Sequence, residues 1–265
     1  MIRRLADLHR HVLGATLAGA LILATPNVSE AQPAGARPTV AIMYFNNGSL
    51  VDHDEYEPMR KGMADILITE MQSNPRIRVI ERDALQKLLD EQKLTEDKRT
   101  DPATSARLGK ILGAQHMIVG GFFIDRKGRM RLDARSVNVE TSEVEHVETT
   151  GGDADDVLEV IAELARKLNS GLKLPGRPEG TRDRSPASTG AASRATPNVA
   201  TASVPPAASP FKAMMTYARA LSEDDAHNTQ GALALYQQFL GETKPTFAVA
   251  QRQKAEERVL ALSKA

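Results

Sequence analysis

The sequence predicts a three-layer α/β domain with a mixed sheet of about five strands, then a disordered linker, then a small all-α module. Three observations carry that reading. Apolar, β-branched runs alternate with stretches of helical periodicity over Thr39 to Leu172. A segment dominated by proline, alanine, serine and threonine, residues 173–209, then breaks all periodicity. Helical stripes resume after it, over residues 210–265.

The amino-terminal stretch, residues 1–31, reads as an export signal. Arg3, Arg4 and Arg10 form a basic head, Val12 to Ala24 carries no charge, and Ser29 and Ala31 place small residues at a cleavage site. The apolar core is shorter than the about 20 residues a spanning helix needs, so an uncleaved anchor is the weaker alternative. Residues 32–38 form a short leader rich in alanine, glycine and proline.

"TVAIMYF", Thr39 to Phe45, is apolar throughout, which is the pattern of a strand buried on both faces. A polar loop, Asn46 to Glu57, leads into a helix from Pro58 to Gln72 with Met59, Met63, Ile66, Leu67 and Met71 at helical spacing. "IRVI", Ile77 to Ile80, is a second strand, and Asp83 is placed to cap the helix of Leu85, Leu88 and Leu89. Asp101-Pro102 opens a further helix that Gly113 stops. "AQHMIVGGFFI" is the third strand, and the turn Asp125 to Gly128 returns the chain into a fourth. There Met130, Leu132 and Ala134 share one face while Val137 and Val139 fall out of phase, which predicts a bulge near Arg135-Ser136. "EVEHVETTG" is a short, charged fifth strand expected at an edge. Asp153 then caps a helix whose buried face is Val157, Val160, Ile161, Leu164 and Leu168.

Residues 173–209 hold almost no large apolar side chain, and such a segment buries too little surface to offset its chain entropy. Beyond it, Phe211, Met214, Tyr217 and Leu221 form one helical stripe, Ala232, Leu235, Tyr236 and Phe239 a second, and Phe247 to Leu262 a third. Ala232, Tyr236 and Pro245 match the second half of a tetratricopeptide-type repeat. A single such helix pair does not stand alone. It must pack on itself, on the α/β domain or on a partner.

Composition excludes several classes of function. With 34 basic and 34 acidic side chains the formal charge is +0, so nothing marks the chain for nucleic acid. Cysteine is absent, which removes disulfides, thiolate chemistry and a lipidated cysteine. Neither a nucleophile elbow, a zinc-protease helix, a phosphate loop nor a dinucleotide-binding glycine pattern occurs, so no catalytic residue and no cofactor is expected. "DHDE", Asp52 to Glu55, is the densest set of metal-ligand types, yet consecutive loop residues diverge, and a solvated acidic loop is the better reading. "DADD", Asp153 to Asp156, lacks calcium-loop spacing and suits a helix's first turn. Gly120-Gly121 inside a strand is read as room for a closely packed helix, and His116 and His146 receive no ligand role.

Two stretches, "RVIERDALQKLLDEQKL" from Arg78 and "ILGAQHMIVGGFF" with the following "RLDARSVNVETSEV", resemble the curli-assembly CsgG/HfaB family. More distantly the chain resembles FlgO-type proteins and the amino-terminal domain of TolB-like proteins. The resemblance implies a periplasm-facing α/β domain that assembles into rings and serves export of surface fibres. It also implies membrane hairpins between the third and fourth strands and before the last helix of the domain. Here the first gap holds only Asp125 to Gly128 and the second runs directly into the helix cap, so neither can supply strands of about 9–11 residues. The family's constriction-loop residues fall near Asp54 and Glu55, which do not match. The expectation is therefore a non-enzymatic, periplasmic, outer-membrane-associated assembly or transport component without the pore. Its partners would be other envelope or secretion proteins, with self-association as the family implies, and with no membrane span after signal cleavage. Partner contacts are expected on the loop, at Asn46, Asn47, Asp54 and Tyr56, and on the helix after the second strand, at Gln86, Lys87 and Asp90. A binding module for a small ligand or peptidoglycan fragment, and a metal-dependent hydrolase using "DHDE", are the alternatives.

Overall fold

The computed structural model describes residues 37–92, 101–172, 174 and 208–264. The export signal and almost all of the linker segment lie outside the described residues. The elements run β1 (Thr39–Ile42), β2 (Asn46–Asn47), α1 (His53–Tyr56), α2 (Met59–Gln72), β3 (Arg78–Val79), α3 (Arg82–Gln92) and α4 (Pro102–Leu112). They continue β4 (His116–Ile124), β5 (Arg129–Asn138), β6 (Val144–Asp153), a 3-10 turn (Ala154–Asp156) and α5 (Val157–Gly171). The carboxyl-terminal helices are α6 (Pro210–Asp225), α7 (Thr229–Glu242) and α8 (Val249–Leu262).

The sheet is mixed and six-stranded, in the order β3-β1-β4-β5-β6, with β2 pairing β4 beyond the end of β1. β1 is parallel to β3 and β4, and the β4-β5-β6 meander is antiparallel. α2 and α5 cover one face, where Met130, Leu132 and Ala134 are buried. α4 covers part of the other, where a Cβ on Gly109 would touch the Val139 side chain. Val137 and Val139 are thus buried on the face opposite Met130, because helices cover both sides. The expected change of phase in β5 is plain alternation between two covered faces. The register shift does fall at Ser136/Val137, but the additional residue, Glu145, belongs to β6, since Ser136 pairs with His146 and Val137 with Val144.

Local chemistry explains most boundaries. Asp101 accepts a hydrogen bond from Thr104 N–H (2.9 Å), Pro102 occupies the first turn, and Gly113 ends α4 at φ 67. Asp153 caps the 3-10 turn by accepting from Asp155 N–H (3.0 Å). Asp83 is not a cap: α3 already begins at Arg82, and Asp83 lies in its first turn. β6 is an edge strand as expected, but it is ten residues long rather than short. Gly120 makes room for strands instead of a helix, because a Cβ there would stand 2.4 Å from Asp133 O and 2.9 Å from the Phe45 ring.

α6 packs on α2, α7 packs on α6, and α8 packs on α7 and reaches Thr69 and Asp65 of α2 through Gln251 and Lys254, so that the helices form a bundle. Gly62 lets α6 approach closely, since a Cβ there would lie 2.8 Å from Ala218 Cβ. Tyr217 is fully buried at the centre, its ring 5.2 Å from Phe239 and 6.1 Å from Tyr236. Burying each such ring is worth roughly 1.5–3 kcal/mol. Of the three packings that the sequence leaves open, the structure thus shows the helices on one another and on the α/β domain.

Candidate interaction surface

The loop after β1 is fastened to β4 residue by residue. Asn46 and Asn47 pair with Gly121 and Phe122, Gly48 N–H donates to Phe122 O (2.8 Å), and Ile124 N–H donates to the buried Ser49 hydroxyl (3.0 Å). Leu50 then stands 88% exposed at the tip, and Asp52 takes left-handed backbone at φ 50. The returning half is equally tied. Asn47 donates to His53 O (2.8 Å), Arg60 donates to Phe45 O (2.9 Å) and Glu57 (2.6 Å), and the Tyr56 ring meets Phe211 edge-on at 5.6 Å.

A buried polar seam runs from this loop along α2 to α3. Asp225, on α6, accepts from Arg82 (2.8 Å) and Lys61 (2.7 Å), and the Lys61 ammonium lies 5.7 Å from the centre of the Tyr44 ring. Tyr44 donates its hydroxyl to Gln86 (2.6 Å), which donates in turn to Asp90 (2.7 Å). Further along α2, Asp65 is 2% exposed and accepts from Tyr217 O–H (3.0 Å) and Lys254 (2.8 Å). Burial, the largest cause, together with neighbouring carboxylates, holds the hydroxyls of Tyr44, Tyr217 and Tyr236 well above the ordinary tyrosine value. An ion pair this buried repays its desolvation only when its remaining donors and acceptors are also satisfied, as they are here.

The expected contact residues therefore divide. Asn46 and Asn47 hold the loop, Tyr56 packs on Phe211, and Gln86 belongs to the seam. Asp54, Lys87 and Asp90 are exposed. They do not converge on one cluster. Around "DHDE", His53 Nδ1 bonds Ser49 O (3.1 Å) while Asp52, Asp54 and Glu55 face solvent. Among the described residues no three histidine, aspartate or glutamate side chains converge as metal ligands. The residues that sequence reasoning missed are Lys61, Asp65, Arg82 and Asp225. Their clearest signal was Asp65, an acid set between Ala64 and Ile66 in the apolar middle of α2, whose other charged residues, Arg60, Lys61 and Glu70, lie toward its ends.

The class defined by this architecture is a mixed-sheet α/β domain with an appended helical bundle. Within it, residues 24–123 match the family model described as "Curli production assembly/transport component CsgG". The family resemblance read from the sequence is thereby shown over those residues; "RLDARSVNVETSEV" lies beyond them. No curated protein matches the chain. Among solved structures, the LpoB carboxyl-terminal domain from Salmonella enterica is similar at 12% identity, covering 47% of this chain and 88% of that one, with TM-score 0.33. Lipoprotein GNA1162 from Neisseria meningitidis is similar at 13% identity over 43% of this chain and 79% of that one, TM-score 0.33. The PelC dodecamer from Paraburkholderia phytofirmans is similar at 12% identity over 52% and 92%, TM-score 0.32.

Proposed function

We propose that the chain is a non-enzymatic component of envelope assembly or transport, related to curli export and acting from the periplasmic side without forming the pore. The family match over residues 24–123 supports the relationship. The observation that carries the second half is the pair of connections where pore-forming relatives bear hairpins. β4 joins β5 through a tight turn in which Gly128 N–H donates to Asp125 O (3.0 Å) and Asp125 N–H to Arg129 O (3.0 Å). β6 ends on Asp153, which caps the next turn directly. Neither connection contains a residue to spare for a barrel strand. Among the described residues no helix is long and apolar enough to cross a membrane.

The protein's part is then to hold other envelope proteins, through the loop tip around Leu50 and Asp54 and the exposed side of α3 at Lys87 and Asp90. Planar-bilayer recording with purified mature protein tests this. No discrete conductance steps are expected, and sedimentation with outer membranes should require partner proteins. Single-channel steps from the protein alone would overturn the reading.

A further inference from the structure

The long edge strand β6 has an outer side that no described residue pairs with, although Lys167 touches it at one carbonyl. Ala154 continues the ladder by donating its N–H to Gly128 O (2.8 Å), and Gly152 pairs with Met130. In an antiparallel ladder alternate residues turn both backbone groups the same way. His146, Glu148, Thr150 and Gly152 therefore face β5, while Val147, Thr149 and Gly151 face outward. Lys167 Nζ accordingly reaches Thr149 O (3.0 Å), from the outer side. The strand carries no proline and no lysine of its own; its edge protections are the bulge at Glu145 and the Glu145 and Glu148 carboxylates, beyond which Val147 is 63% exposed.

We propose that this edge pairs with the same edge of a second copy, antiparallel about a two-fold axis through Val147. Charge selects both occupant and register. His146 and Glu148 lie on the α5 side of β6, with His146 Nε2 2.8 Å from Glu148 Oε1 and the imidazole against Gly171. Centring the pair on Val147 sets each His146 opposite the second copy's Glu148, so two imidazoles and two carboxylates alternate around the axis. One neighbouring register sets Glu148 against Glu148, and like charges directly opposite are destabilising; the other sets His146 against His146 and leaves each Glu148 with no imidazole across the axis. α5 runs antiparallel to β6, with Lys167 beside Thr149 and Gly171 beside His146, so only its last turn nears the axis. Lys167 can release Thr149 O while keeping Glu163, 3.1 Å away. This two-fold contact lies outside the loop and α3 surfaces and is independent of the pore question.

Cysteine is absent from the chain, so single-cysteine variants of the full protein report the contact cleanly. Oxidised Val147→Cys should form a covalent dimer at least about tenfold faster than Thr149→Cys, whose two copies would stand roughly 14 Å apart, beyond disulfide reach. Val147→Pro removes an outward N–H and spares the ladder to β5, so it should convert the dimer to monomer in size-exclusion chromatography with unchanged circular dichroism. Should the proline lower the melting temperature, Val147→Lys should give the same monomer. A wild-type protein that stays monomeric at its highest attainable concentration overturns the proposal. So does equal cross-linking at both positions. Slow hydrogen exchange of the Val147, Thr149 and Gly151 amides in a monomer would place a segment of the same chain on the edge and would also overturn it.

Discussion

α2 and α5 lie side by side on one face of the sheet, and their outer faces meet opposite fates. α5 shows the water an exposed surface in which Arg166 and Glu159 pair at 3.0 Å. α2 presents Lys61, Gly62, Asp65 and Thr69 in much the same way by sequence, yet α6 and α8 cover that side. A polar helix face is thus no guarantee of solvent. What decides is whether another element brings complementary groups, here Tyr217, Asp225 and Lys254, and a surface small enough to meet Gly62.

The largest test of that difference is alkaline. Tyr44, Tyr217 and Tyr236 all have hydroxyls raised above the ordinary value by burial, and all three line the covered side of α2 or the helices on it. A group raised in the folded state contributes stability that is intact below its unfolded value and is lost as pH rises toward the folded one. Each tyrosine should therefore remove about 1 kcal/mol between roughly pH 10 and pH 11, about 3 kcal/mol together. Urea unfolding across that interval, followed by tyrosinate absorbance, checks it. Three tyrosines ionising near pH 10 in a protein that stays folded would contradict the buried seam.

Asp65→Ala should cost about 2 kcal/mol, because it leaves the buried Tyr217 hydroxyl without its acceptor and the half-buried Lys254 ammonium with Thr69 alone. Chemical denaturation measures this directly, and a loss near zero would mean that α6 and α8 do not sit on α2 as described. Gly62→Ala is a subtler probe. Helix propensity favours alanine by about 1 kcal/mol, whereas forcing a methyl group against Ala218 costs about 1–3 kcal/mol. A net loss of about 1 kcal/mol in thermal unfolding is expected, and a gain would show that α6 can move away. The smallest effect belongs to α5: Arg166→Ala should change stability by less than about 0.5 kcal/mol, since the pair is open to water.

Much of this was legible in the residues. Asp101-Pro102 and Gly113 bracket α4, the stripe from Val157 to Leu168 forms the buried face of α5, and the tight turn at Gly128 leaves no room for an inserted hairpin. The contact residues were legible only in part. Asn46, Asn47, Tyr56 and Gln86 read as surface groups but bind their own chain, through partners up to 155 positions away in the case of Tyr56 and Phe211.

By itself the sequence determined what depends on short separations: the periodicities of helices and strands, the caps and turns between them, and the shift in composition that marks residues 173–209. The tertiary structure alone decided which surfaces meet. Asp65 and Lys254 are 189 positions apart, and Arg82 and Asp225 are 143 apart, so no local pattern announces either pair. The physical reason is that helical period specifies a direction around an axis and nothing about what waits there. Whether the polar side of α2 meets water or Tyr217 is settled only when α6 arrives, and whether the outer row of β6 stays bare is settled only when the sheet is complete.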